Sequence, residues 1–244
     1  MSTLKTHNIE PATGTDVALG AAGDSITVSG DSLKMDIFKD AGGNTIFQSN
    51  GSGTMSNVKT GLKGGGPILI SSTTFTNQAN VSITSGIDST FVKYMFVCLN
   101  INLATNNTPF KFQVNASGQS GFNENITSTF FKAFHGTNDN TVGPSYNTGD
   151  DQAGTDAVYQ SLTENCGNEA DEIASGILYL YDPAGTTFVK HFHSRFYSTH
   201  EYGNGSTLDN YASGYINVTA AITQIDFKAA SGNFDGTIKM YGIN

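Results

Sequence analysis

The chain has 244 residues and a formal net charge of −9 at pH 7, and only 14% of its residues are charged. This balance argues against a nucleic-acid or anionic-membrane surface, because either would need clustered Lys and Arg. Glycine is frequent, at 28 residues, and Ser, Thr and Asn abound. Such a composition favours strands joined by tight turns over helices, so we expect an all-β protein.

Residues 1–66 are predicted to form an N-terminal extended arm and a short-strand anchoring region. Residues 1–11 are polar with single apolar anchors at Leu4 and Ile9, and they lack the apolar segment of a secretory signal. Residues 12–55 run as short apolar bursts, roughly eight to twelve residues apart, between Gly-rich turns. Such thin strands bury too little area to be stable alone, so we expect them to pack on the main domain or on neighbouring subunits.

The glycines and proline at 64–67 predict a domain boundary, and residues 67–244 then form the second domain. Its strongest strand pattern is Phe91–Leu103, with apolar residues on both faces. We assign one face to Phe91, Met95, Val97, Leu99, Ile101 and Leu103, and the other to Val92, Tyr94, Phe96 and Cys98. Two apolar faces indicate burial on both sides, the second against another subunit.

About nine strands are expected in this domain. Further strand patterns cover Val81–Ile83, Phe110–Val114 and Ile126–Phe134, where a short helix is the alternative, and a hairpin spans Gly176–Tyr197. Residues 135–172 and Tyr202–Ser213 are predicted to be polar loops, the first with a possible helical turn at Asp156–Leu162. Turn-separated strands of this kind predict an antiparallel β-sandwich of jelly-roll-like type.

The chain has two cysteines, Cys98 and Cys166. Cys98 lies in an apolar run and is predicted to be buried, whereas Cys166 lies in a polar Asn/Gly segment. A disulfide between them stays open, and their spacing forms no metal-binding cluster.

His191 and His193 are the sharpest local feature. On a strand both point to the same side as Val189 and Arg195, away from the Phe188, Phe192 and Phe196 side chains. Paired histidines are metal ligands in principle, but the charge of Arg195 opposes a cation. Solvated or hydrogen-bonded histidines are therefore the favoured interpretation, with a metal site as the alternative.

Acidic residues give two further alternatives. Asp150, Asp151 and Asp156 in a Gly-rich loop offer hard oxygen ligands for calcium, although the spacing matches no EF-hand. Paired carboxylates for glycoside hydrolysis are available among Glu164, Glu169, Asp171 and Glu172. An exposed acidic loop is the favoured interpretation of both sets. Since no nucleophile elbow or phosphate loop is present, we expect no enzyme and no cofactor.

Aromatic residues in polar segments are the better binding candidates. Tyr146, Tyr159 and Tyr202 are the leading ones, with Phe122 and Tyr211 beside them. Tyrosine among Ser, Gly and Asn is the composition of a recognition surface. The favoured interpretation is still that each ring caps the sandwich core, with a recognition surface as the alternative.

The last segment, Ala221–Asn244, alternates around a turn-rich connector and predicts a closing β-hairpin. Ile225, Phe227 and Ala229 share one face of its first strand, and Ile238 and Met240 share one face of its second. The pattern of an apolar strand, SGNF and then GTIKMYGI resembles the end of a domain in virion proteins of tailed phages, marine ones in particular. The likeness covers roughly residues 67–244.

The resemblance implies a β-sandwich that builds fibres, spikes or capsid decorations on the particle surface. The leader STLK…NIEP is similar to segments that attach phage fibre proteins to other virion proteins. We therefore expect a homotrimeric surface appendage that takes part in host attachment through a host glycan or protein. The alternatives are a capsid decoration protein that stabilises the head and a glycan-binding or glycan-degrading module.

Overall fold

The computed structural model describes residues 36–40, 42–49, 55–56, 66–139, 141–154, 157–200 and 205–244. Within these ranges the chain forms fifteen strands and no helix, and every strand pairing is antiparallel, as in Ile37↔Gln48 or Phe131↔Tyr146. None of the described segments is a helix that could span a membrane. The prediction of an all-β, antiparallel fold is confirmed. The predicted arm at 1–11 lies outside the described residues.

The chain divides into two compact units, Met1–Lys63 and Gly64–Asn244. The first unit contains a three-stranded sheet in the order β1 (Ile37–Lys39), β2 (Thr45–Ser49), β3 (Met55–Ser56). Asp40 fixes the turn between β1 and β2, because its Oδ1 accepts the backbone N–H groups of Gly42 at 2.9 Å and Asn44 at 2.8 Å. The Phe38 and Phe47 rings stack 5.2 Å apart.

The second unit is a sandwich of one large and one small sheet. Its strands are β4 (Ile68–Gln78), β5 (Val81–Ile83), β6 (Lys93–Leu103), β7 (Phe110–Ala116), β8 (Ile126–Gly136), β9 (Val142–Tyr146), β10 (Gln160–Ser161), β11 (Ala174–Tyr181), β12 (Lys190–His200), β13 (Ser206–Ile216), β14 (Ile222–Ala229) and β15 (Phe234–Ile243). The large sheet has the order β4-β15-β6-β11-β12-β13-β8-β9, and the small sheet has the order β10-β7-β14-β5.

Phenylalanine rings join the two sheets. Phe110 of β7 packs against Phe196 of β12 at 6.1 Å and Phe234 of β15 at 5.5 Å between ring centroids. Phe112 and Phe192 meet edge to face at 5.2 Å. All five rings are buried. Because the small sheet has half as many strands, it covers only part of the large sheet's inner face.

The predicted closing hairpin is wrong. β14 pairs with β7 and β5 in the small sheet, whereas β15 pairs with β4 and β6 in the large sheet. The connection therefore crosses from one sheet to the other. The predicted alternation is correct, since Phe227 on β14 and Met240 on β15 are both buried. Period-two patterns show which residues face the core but not which sheet a strand joins.

The predicted faces of β6 are also wrong in part. Tyr94, Phe96 and Cys98 point inward as expected, but Ile101 and Leu103 share their face and are equally buried. A β-bulge causes the change: Leu99 and Asn102 are three residues apart, while their partners on β15, Thr237 and Asp235, are two apart. An extra residue reverses the alternation of everything that follows it. The opposite face of β6 is half-buried.

Three strands lie where polar loops were predicted. β9 and β10 fall within residues 135–172, and β13 covers most of the predicted loop before Ser213. Inward positions of β13 are occupied by Leu208, Asn210 and Ala212, all buried. The Asn210 amide donates to the carbonyl of Phe196 at 3.1 Å and to Ser198 Oγ at 3.0 Å. A satisfied buried amide costs little, so a polar-looking sequence can form a central strand.

Candidate functional site

Six residues form a continuous row across the outer face of the large sheet, one on each of six neighbouring strands. Each residue is the direct cross-strand partner of the next, and the row is Val97, Ile177, Arg195, Tyr211, Phe131 and Tyr146. We call it the aromatic row. Neighbouring strands lie about 4.8 Å apart, so the row is about 24 Å long. Every strand that carries it except the outermost, β9, is paired on both sides, which makes it a rigid platform.

Arg195 lies at the centre of the row. Its guanidinium donates to both oxygens of Asp209, from Nε to Oδ1 at 3.0 Å and from Nη2 to Oδ2 at 2.6 Å. Its Cζ also lies 5.0 Å from the ring centroid of Tyr197 and 5.1 Å from that of Tyr211. The hydrogen bonds to Asp209 raise the pKa of Arg195. A cation held between two rings and a carboxylate keeps one orientation.

The rings of the row stand on edge. Phe131 and Tyr211 stack 4.7 Å apart with an interplanar angle of 5°, which matches the strand spacing. The Tyr211 hydroxyl donates to Asp209 Oδ2 at 2.8 Å, and the Tyr146 hydroxyl donates to Asp151 Oδ2 at 2.6 Å. Phe131 is 45% exposed and Tyr146 52% exposed. The row therefore presents ring edges and polar tips to its surroundings.

The predicted histidine pair lies beside this row on the same outer face. His193 stacks on Tyr179 at 4.8 Å, and its Nδ1 is 3.0 Å from the Tyr181 hydroxyl. Burial, with help from the charge of Lys93, lowers the pKa of His193. His191 instead meets the Tyr215 ring edge to face. The pair is thus engaged with tyrosines, and no group of three or more potential metal ligands occurs among the described residues.

The two described carboxylates of the acidic loop, Asp150 and Asp151, lie in different environments. Asp150 is buried and accepts a hydrogen bond from Asn147 Nδ2 at 2.6 Å. Burial raises its pKa, although Lys111 opposes this shift. Asp151 is bonded to Tyr146 on the outer face, and Asp156 lies outside the described residues.

The described tyrosines among the predicted binding candidates lie in different parts of the fold. Tyr146 belongs to the aromatic row. The Tyr159 hydroxyl donates to Asp226 at 2.9 Å, and Lys228 Nζ lies 4.0 Å from its ring centroid, so Tyr159 supports the small sheet instead. Tyr211 is in the middle of β13, not in a loop. Tyr202 lies outside the described residues.

A polar cleft of about 510 Å³ occupies the part of the large sheet's inner face beside β8 and β13. Lys132 of β8 and Glu164 form an ion pair at its wall. Glu164, one of the predicted carboxylates, also accepts from Asn147 Nδ2 at 3.1 Å. Glu172 accepts instead from the backbone N–H groups of Asn168 and Glu169, at 3.1 and 3.3 Å. Both carboxylates therefore take part in structural bonds.

Both cysteines are buried free thiols in the structure. Burial raises the pKa of Cys98, and it raises that of Cys166 to about 11. A buried thiol with a raised pKa is a poor nucleophile, so neither cysteine belongs to the candidate site.

Sequence reasoning missed the aromatic row and the cleft. A signal for the row existed, because Arg195 and Tyr197 continue the outward positions that begin at His191 and His193. Its partners Tyr211 and Phe131 could be aligned with them only through strand pairing. No protein-family model, curated protein or solved structure matches the chain.

Proposed function

We propose that the chain is a non-enzymatic surface protein of a tailed-phage particle, a homotrimeric appendage that takes part in attachment to the host. The terminal pattern of Ala221–Asn244 supports the virion setting. The aromatic row supports self-association and is the one structural observation that carries the proposal. A second copy of this chain is the occupant of the outer face.

The chemistry of the row favours a protein partner. Tyr, Phe and Arg are enriched at the centres of protein interfaces, and all three types meet where Arg195, Tyr211 and Phe131 lie side by side. Phe131 and Tyr211 each cover one face of the other's ring, and Arg195 lies over Tyr211 as well. Side chains from a second copy can pack against the edges of these rings.

Charge also favours a second copy at this face. A chain with a net charge of −9 repels its copies over most of its surface. The outer face around Arg195 differs, because Lys93 and Lys239 lie towards the β6 end of the row and Asp209 is neutralised by Arg195. The carboxylate of Asp151 lies at the other end, bonded to Tyr146. Two copies therefore approach around Arg195 with less repulsion than an average surface would impose.

The outer face of the large sheet is large enough for an interface between two copies of the chain. The row is about 24 Å long, and the strand segment from His191 to Tyr197 adds a width of about 20 Å. This gives a footprint of about 500 Å², and ring edges increase its accessible area towards the roughly 800 Å² per partner of a standard interface. Three copies can place such faces around one axis.

Light scattering coupled to size-exclusion chromatography tests the association. We expect the full chain to elute at three times its mass of 25.8 kDa. The double variant Phe131→Ser/Tyr146→Ser removes the two exposed rings at one end of the row and is expected to elute as a monomer. Phe188→Ser, at a side chain that is 73% exposed outside the row, is the matched control and stays trimeric. A monomeric full chain overturns the trimer.

Immunogold labelling of intact particles with an antibody to residues 67–244 tests the location. Label at the tail or at a vertex supports an attachment appendage. Label spread over the head overturns that role in favour of a capsid decoration protein. Release of oligosaccharides from host polysaccharide by the purified chain overturns the non-enzymatic assignment.

A further inference from the structure

The polar cleft lies on the opposite side of the strands that carry the aromatic row. Lys132 and Phe134 face it from β8, and Leu208 faces it from β13, while their neighbours Phe131 and Asp209 point to the outer face. Glu164 and Asn165 contribute the facing wall. Because the sheet separates the two surfaces, both can be occupied at once.

The charges at the cleft are balanced. Lys132 and Glu164 form an ion pair, with side chains that are 19% and 21% exposed. Glu164 is held further by Asn147, and its backbone N–H donates to Asn210 Oδ1 at 3.0 Å. A phosphate, a carboxylate or a metal cation would need an excess of one sign. The balanced pair favours a neutral ligand.

The remaining lining supplies paired donors and acceptors beside an apolar surface. Asn107 and Asn165 carry amides, each with a donor and an acceptor, and His200 Nε2 lies 2.8 Å from Asn107 Oδ1. Phe134 adds an apolar wall, with Lys132 Nζ 5.4 Å from its ring centroid. Hydroxyl groups on an apolar ring of carbons would match both features. The volume of about 510 Å³ falls within the range of ligand-binding clefts.

We propose that this cleft binds a short neutral saccharide. Lys132 and Asn165 donate to hydroxyl oxygens, Glu164 accepts from hydroxyl groups, and the Phe134 ring covers a C–H face of the sugar. The inference rests on the proposed attachment role for its biological meaning, since it names the class of host molecule that the appendage would bind. The physical site is separate from the aromatic row.

Saturation-transfer NMR and calorimetry on the full chain test the inference. The neutral probes are glucose, galactose, N-acetylglucosamine, cellobiose, lactose and chitobiose, and the charged probes are glucuronate and glucosamine. We expect saturable binding of at least one neutral saccharide at concentrations up to about 10 mM. Its charged analogue is expected to bind at least about tenfold more weakly. An anionic sugar would lie near Glu164 and a cationic sugar near Lys132, and like charges repel each other.

Two cleft variants and one control variant away from both surfaces locate the binding. Asn165→Ala removes one hydrogen-bonding group, and Glu164→Gln removes a charged acceptor; each is expected to weaken binding about fivefold or more. Phe188→Ser changes a side chain that is 73% exposed and lines neither the cleft nor the aromatic row, and it is expected to leave saccharide affinity unchanged. If Glu164→Gln fails to fold, Asn165→Ala carries the test.

Absence of binding by every neutral probe overturns the saccharide site, as does preferential binding of a charged probe. Binding that neither cleft variant weakens overturns its location. Oligomeric state is measured on the same samples, so a monomer that still binds sugar refutes the trimer alone, and a trimer that binds none refutes the cleft alone.

Discussion

Arg195 and Asp209 form a two-point ion pair along a diagonal between strands β12 and β13. Arg195 lies directly opposite Tyr211, and Asp209 lies directly opposite Tyr197, so the pair crosses between two tyrosines. Both of its hydrogen bonds, at 3.0 and 2.6 Å, lie on the outer face of the sheet. This ion pair links β12 to β13 at the point where the aromatic row crosses them.

The first prediction concerns this pair at acid pH. Burial opposes ionisation of Asp209, but hydrogen bonds from Arg195 and Tyr211 outweigh it and lower the pKa of the carboxyl group. A lowered pKa means that the stabilisation is present above the unfolded value of about 3.8 and is lost as pH falls below it. Urea unfolding of the wild type and of Asp209→Asn, from pH 7 to pH 3, measures this contribution to stability.

We expect the variant to unfold at slightly lower urea than the wild type at pH 7, because exposed ion pairs contribute little. The difference between the two midpoints should stay constant down to about pH 4 and begin to shrink as the pH falls from there towards 3. A difference that stays constant over this range would show that the charge of Asp209 contributes nothing.

The second prediction compares two tyrosine–carboxylate hydrogen bonds. Tyr159 donates to Asp226, which is 1% exposed and also accepts from Asn80 Nδ2 at 2.9 Å. Tyr159→Phe is expected to lower the free energy of unfolding by about 1–2 kcal/mol, because it removes a bond to a buried charge. Tyr146→Phe removes a bond to Asp151 on the surface that is shorter, 2.6 against 2.9 Å, and should change the free energy of unfolding little. Equal effects in urea titrations would contradict the role of burial.

The third prediction concerns alkaline pH. Burial, and then the hydrogen bond to Asp226, raise the pKa of Tyr159. A group whose pKa is raised on folding stabilises the native state below its unfolded pKa, about 10 for tyrosine, and loses this contribution as pH rises further. Lys190 acts in the opposite direction, since burial lowers its pKa. The free energy of unfolding should therefore fall less steeply above pH 10 in Tyr159→Phe than in the wild type, and parallel slopes would refute the assignment.

The period-two alternation of the sequence predicts which residues are buried, but not which sheet a strand joins. Alternation correctly placed Phe192 and Phe196 in the core and His191 on the outer face. It failed for Phe188, which is exposed because it precedes the strand. Alternation also assigned Ile225 and Ile238 correctly to buried faces, yet it could not show that their strands belong to opposite sheets. Sheet membership depends on pairing between distant segments, which a local period does not contain.

The candidate site was predictable only in pieces. Tyr146 was selected as an exposed aromatic residue, and Glu164 as an acidic one. Their surroundings depend on strands from four distant segments, since Tyr146 follows Phe131, Tyr211 and Arg195 across the sheet. Register of this kind is fixed by the folded core, so local alternation marks only the Arg195 position of the row, and no local motif marks the cleft.

The fourth prediction concerns the bulge of β6. Asn100 has a φ of 52°, in the left-handed region that favours Gly and Asn, and its backbone N–H donates to Ser175 Oγ at 3.0 Å. Asn100→Gly should leave stability nearly unchanged, whereas Asn100→Val should cost about 1–2 kcal/mol. Urea unfolding of the two variants checks this. A valine variant as stable as the glycine variant would show that the strand can lose its bulge.

The last prediction concerns Gly176, which lies opposite Phe196 on β12. A Cβ at Gly176 would lie 2.4 Å from Phe196 Cγ and 2.5 Å from the carbonyl oxygen of Arg195, too close for any real contact. Gly176→Ala must therefore displace a core ring or part β11 from β12, and we expect a loss of about 3 kcal/mol or more.

Gly66→Ala is the control, because nothing lies within 4 Å of a Cβ built there, and its stability should match the wild type. Since β11 and β12 carry Ile177 and Arg195, displacement of these strands also breaks the aromatic row. Light scattering on Gly176→Ala should therefore show loss of the trimer in whatever fraction remains folded. A folded, fully trimeric Gly176→Ala protein would contradict both the close packing and the dependence of association on the row.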